Sequence, residues 1–151
     1  MFEYHGWITL RPTAEALDDE PPLRLGEIQA LAEEFTDYAL MDLRPMNGTY
    51  HLHLGGNPNH RGQHGEAVVD LFAKVGQLAP GSYGLLYVHD DEDPEHTLDF
   101  RVFRLVRGTV TEHADHFLSP VIPTLEDEDM SWPDDDTPAH HQRRAGNHNR
   151  A

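Results

Sequence analysis

Asn47-Gly48 limits the fold more than any other pair in this chain. It lies in the stretch ALMDLRPMNGTYHLHLGG, where two strand-like runs flank Pro45-Met46-Asn47-Gly48. A tight hairpin turn requires positive φ angles, and Asn followed by Gly adopts them at least cost. The two runs are therefore expected to pair as an antiparallel hairpin. Along the second run Tyr50, Leu52 and Leu54 alternate with His51 and His53. That alternation gives a strand with one apolar face for a core and one histidine face for the open side of a sheet.

The remaining elements follow from the same periodicities. Tyr4 to Leu10 reads as a strand, with Gly6, Ile8 and Leu10 on one face and His5, Trp7 and Thr9 on the other. PTAEALDDEPP is an acidic, proline-bounded connection. A helix is expected from about Gly26 to Tyr38, since Ile28, Leu31, Phe35 and Tyr38 step at helical spacing while Glu27, Glu33, Glu34 and Asp37 look outward. Gly55-Gly56-Asn57-Pro58 breaks the hairpin pattern. A second helix is expected from Gly62 to Leu78, with Val68, Leu71, Phe72 and Val75 inward and Pro80-Gly81 as its stop. Tyr83 to His89 is an apolar run of strand length, and Leu98 to Val106 is another. Arg107-Gly108 turns into a short strand at Thr109 to Glu112. In the 98–106 run, Leu98, Phe100, Val102 and Val106 share a face with Arg104, which calls for a bulge or a place near a sheet edge.

Strand, helix, strand, strand, helix, strand and an added hairpin make an α+β protein. The expected form is an antiparallel sheet covered on one face by two helices, in ferredoxin-like split βαβ order, with an extended acidic arm after the hairpin. A chain of 151 residues suits one such domain, placed at 1–125. From Glu126 onward seven carboxylates in eleven residues, then the polar AHHQRRAGNHNRA, read as a solvated tail over 126–151 without the apolar content to fold.

Composition removes several function classes. The chain carries 27 acidic and 11 basic residues, a net charge of −16. Phosphate backbones and anionic membrane surfaces are repelled at long range, so direct nucleic-acid or membrane binding is disfavoured and a basic partner is favoured. No apolar stretch approaches the roughly 20 residues of a membrane helix, and MFEYHGW lacks the form of a secretory signal, so a cytoplasmic site is expected. The absence of cysteine excludes disulfides and thiolate zinc sites.

Four histidines, His51, His53, His60 and His64, fall within fourteen residues. Residues two apart on a strand project from one face about 7 Å apart, close enough to share a metal. His60 and His64 would share a face only if the second helix began as early as His60. A metal-dependent hydrolase or metal-binding protein built on these four is therefore the alternative reading. The plainer one leaves His51 and His53 on the open sheet face with no ligand. No serine or cysteine elbow and no glycine-rich phosphate loop accompanies them, so a non-enzymatic protein is preferred, with no catalytic, cofactor or metal residue assigned.

Exposed aromatics and acids then become the candidates for contact with a protein partner. Trp7 shares its face with His5 and Thr9, and Trp132 lies between two acid clusters. Aromatic side chains often anchor interfaces. Asp90, Asp91, Glu92 and Asp93 end a strand, and Glu126, Asp127, Glu128 and Asp129 follow the arm. Asp90 to Asp93 lacks the spacing and glycine of a calcium loop. Both clusters present charge that speeds encounter with a basic surface.

MFEYHGW, PMNGTYHLHLGG, Asn59-His60-Arg61, APGSYGLLYVHDDED and FLSPVIPTLEDED, in that order from Met1 to about Asp129, together resemble the immunity protein 7 family. These are small antitoxins encoded beside bacterial polymorphic toxins. The resemblance implies an α+β antitoxin without cofactor or catalytic residues that binds and neutralises a cognate toxin domain. It supplies no list of toxin-contacting residues. Many toxins of this kind attack nucleic acids through basic clefts, so the resemblance implies a basic, nuclease-type toxin, which the acidity of the chain fits; oligomeric state is left open.

Overall fold

The computed structural model describes residues 1–121, and in them the alternating runs become six strands and the two stripes become two helices. In chain order these are β1 (Phe2–Thr9), α1 (Leu25–Glu33), β2 (Leu40–Met46), β3 (Thr49–Gly56), α2 (Gly62–Leu78), β4 (Tyr83–Asp90), β5 (Arg101–Val106) and β6 (Thr109–Ala114). The strands form one antiparallel sheet in the order β2-β3-β1-β4-β5-β6. The expected α+β class is met.

The Asn47-Gly48 turn forms as its residues dictate, with φ of 50° and 81°. It is shorter than the flanking residues suggest, because Pro45 and Met46 belong to β2. Proline is tolerated there because β2 is an edge strand. Arg107-Gly108, with φ of 51° and 72°, makes the same kind of turn between β5 and β6.

One face of the sheet carries the core. Phe2, Tyr4 and Ile8 of β1, Leu52 and Leu54 of β3, Leu86 and Val88 of β4, and Phe103 and Leu105 of β5 pack with Ile28 and Ala32 of α1 and with Val68, Leu71, Phe72 and Val75 of α2. Backbones approach closely where a side chain is missing. A Cβ on Gly84 would stand 2.1 Å from the Trp7 carbonyl oxygen, so β4 lies against β1 only because this position is glycine.

Three expectations are corrected. The helix α1 ends at Glu33, five residues before Tyr38, and the chain continues in turns in which Phe35 is still buried but Tyr38 is exposed. Gly55 and Gly56 belong to β3; a Cβ on Gly56 would meet the Tyr4 ring at 2.4 Å. The strand β5 begins at Arg101, and no bulge is needed for Arg104. Phe103 and Leu105 face the helices, so Val102, Arg104 and Val106 lie on the opposite side. The tail 126–151, with Glu126, Asp127, Glu128, Asp129 and Trp132, lies outside the described residues.

Candidate functional site

Both helices cover the core face and leave the other face of the sheet without a helix, with Phe100 packed on Tyr87 and His89 at one end of it. The strand register arranges it in rows. One row runs Asp42, His53, Trp7, Leu85, Arg104 and Thr111 across all six strands. On one side of it His5, Tyr87, Val102 and His113 are aligned; on the other His51, Thr9, Tyr83 and Val106. Trp7 is 37% exposed and packs edge-on against Tyr83, whose ring centroid is 5.9 Å away at 88°. Such an arrangement fixes both rings while leaving their outer surfaces free. Tyr83 and Val106 are exposed as well. Arg104 is exposed and has no ion pair among the described residues.

The four histidines do not converge. The His51 Nδ1 lies 3.2 Å from the Thr9 hydroxyl and shares a hydrogen bond with it, while His53 stands exposed beside Trp7. The His60 Nδ1 is 2.6 Å from the Glu92 carboxylate. His64 lies on α2 with its ring 4.3 Å from that of Tyr38, on the helical side of the sheet. Among the described residues no group of three or more histidines and carboxylates is placed to hold a metal ion.

The acidic loop is built in part by its own charges. Asp90 is buried: its Oδ1 accepts the Glu92 N–H at 3.1 Å, and Arg61 lies 3.9 Å from its Oδ2. Asp93 accepts the Glu95 N–H at 3.0 Å and lies 3.7 Å from Arg101. Asp91 meets the N-terminal ammonium, whose hydrogen bond holds its carboxyl below the ordinary range. Asp91 and Glu92 are exposed. Of the four acids expected to face a partner, two therefore order the loop and two project from it. The loop borders the sheet face, since His89 lies opposite Glu3 and packs on Phe100 with ring centroids 5.4 Å apart. The His89 Nε2–H donates to the Thr97 carbonyl at 2.8 Å, and its Nδ1 is buried without a hydrogen-bond partner.

After β6 a turn organised by Asp115 brings the chain back beside the segment that precedes β5, where the Val121 N–H donates to the Leu98 carbonyl at 2.8 Å. Its Oδ2 accepts the N–H groups of Leu118 and Ser119, both at 2.7 Å, and the Ser119 hydroxyl at 3.0 Å. Its Oδ1 accepts the Phe117 N–H at 3.1 Å. Burial pushes this carboxyl up, but these four donors outweigh burial and hold it below the ordinary value. The turn leaves Phe117 85% exposed.

Tyr83, Tyr87, Leu85 and Arg104 were not legible as surface residues in the sequence. Both alternating sets in β4 and β5 are apolar, so periodicity alone does not say which faces the helices. The parity of Phe103 and Leu105 against Val102 and Val106 is the only local signal.

A family model described as Immunity protein 7 matches residues 1–127. No curated protein and no solved structure matches the chain.

Proposed function

The chain belongs to the immunity protein 7 family, whose members act against polymorphic toxins, and from that premise we propose a stoichiometric inhibitor that neutralises a basic, nuclease-type toxin domain in the cytoplasm. The match over residues 1–127 carries this reading, because it takes in the whole described fold. The net charge of −16 supports the basic partner: an acidic inhibitor meets a nucleic-acid-binding cleft with favourable long-range attraction. Asp91 and Glu92, together with Glu126 to Asp129 beyond the described residues, supply the steering charge. Trp7 supplies an anchor, and Trp132 in the tail a second. Inhibition of this kind asks for no chemistry from the chain.

Co-purification from the native host tests the proposal. Untagged protein should bring down the toxin domain encoded beside it at one to one, without stoichiometric zinc. Recovery of zinc at one equivalent, lost on alanine substitution of His51 and His53, and of no toxin, would replace the inhibitor reading with a metal protein.

A further inference from the structure

The acidic loop and the open sheet face are one continuous surface, and its charge changes sign along its length. Glu3, Asp91 and Glu92 stand at one end, next to His89. The row holding Trp7, Leu85 and Arg104 lies two rows further along, and Arg44, hydrogen-bonded to Asp42 at 2.6 Å, belongs to the row after that. The row between Glu3 and Trp7 holds exposed His5 and His113, half-buried Tyr87 and buried Val102. Arg104 is exposed without an ion pair among the described residues, as are Arg11, Lys74 and Arg107, but of these it is the one in the cross-strand row of Trp7, with Leu85 between them.

We propose that this whole surface, and not the acidic loop alone, grips the toxin. Resting on the inhibitor reading above, the proposal assigns the partner a complementary layout: an apolar patch for Trp7 and Tyr83, a basic edge against Asp91 and Glu92, and a carboxylate opposite Arg104. Size supports joining the two parts. Six strands about 4.8 Å apart, crossed by three or four side-chain rows about 6.8 Å apart, give a face of roughly 600–800 Å². A stable heteromeric interface takes about 800 Å² from each partner. Phe100, packed on Tyr87 and His89, takes one end of this face out of contact, and the adjoining loop extends what remains. Two chains of −16 repel each other, which counts against a second copy of this chain. Charge counts against single-stranded nucleic acid, because Asp91, Glu92 and Glu3 repel phosphate along one whole end.

The test is calorimetric titration of the neighbouring toxin domain, made catalytically inactive, into wild-type protein and surface variants. Trp7→Ala and Arg104→Glu should each weaken Kd at least tenfold, and Tyr83→Ala should weaken it several-fold. Lys74→Glu, on the exposed side of α2, should stay within twofold. Circular dichroism and thermal melting confirm that each variant folds; three exposed sites are used so that one unstable variant does not decide the matter. If wild type binds and all three open-face variants bind equally well, the surface is wrong while the inhibitor reading stands. If wild type neither binds nor inhibits the neighbouring toxin, both fall. Two further results would overturn the proposal with toxin affinity unchanged. In one, sedimentation shows a wild-type dimer that Trp7→Ala converts to monomer. In the other, a labelled single-stranded oligonucleotide binds wild type and not Trp7→Ala.

Discussion

Replacing Asp115 with asparagine keeps the shape of the side chain and removes its charge. Four donors converge on that carboxylate, and one of them, the Ser119 hydroxyl, in turn accepts the Phe100 N–H at 2.8 Å. Charge-assisted hydrogen bonds are stronger than neutral ones, so Asp115→Asn should lower Tm by a few degrees at neutral pH. The sign of the pH dependence follows from the lowered carboxyl. Its folded-state value lies below its unfolded one, so its contribution is complete above the ordinary carboxylate range and is lost as pH falls through the folded value. The gap in Tm between wild type and variant should therefore close at acid pH. A gap that stayed constant down to pH 3 would mean the charge is irrelevant. Histidine shows what residue-level reading misses. His51 and His53 were legible as a same-face pair, and the structure keeps them so, but their meaning depends on Thr9 and Trp7, which are more than forty residues away in the chain.

At the level of elements, legibility followed how sharply each segment separates its two faces. The helix α2 has the same bounds, Gly62–Leu78, in sequence and structure, because one apolar stripe runs through it unbroken and Pro80-Gly81 ends it. The helix α1 has a weaker basis. Its stripe continues to Tyr38 in spacing, but Thr36 turns its hydroxyl onto the Glu33 carbonyl at 2.9 Å and the last residues pack as turns. In β5 both faces are apolar and the inward set could not be chosen from periodicity. Two substitutions test the geometry of elements directly. Gly84→Ala sets a methyl group against the Trp7 carbonyl and should destabilise by about 1–3 kcal/mol or more, read by urea unfolding. Gly48→Ala at φ 81° should cost about 1–2 kcal/mol through the left-handed backbone alone, since nothing lies within 4 Å of the added Cβ. Equal stability of Gly84→Ala and wild type would show that β1 and β4 are not in the register described.

For the molecule as a whole, the proposed inhibition rests on charge and on the open face. A −16 chain approaches a basic partner quickly, and the exposed acids should matter more to rate than to lifetime. Neutralising Asp91 and Glu92 together should slow association with the toxin and flatten its salt dependence, with a smaller change in dissociation. Stopped-flow measurements at two ionic strengths decide this; an association rate unmoved by the double substitution would remove the steering role. Among the described residues no helix is long and apolar enough to cross a membrane. An inhibitor of the proposed kind neutralises by occupying its partner. The most direct test of this is a titration of toxin activity with this protein at concentrations far above Kd. Activity should fall in a straight line to zero at one equivalent and return when the complex is dissociated. Loss of activity at a small fraction of an equivalent, without recovery, would contradict the account and identify a catalyst.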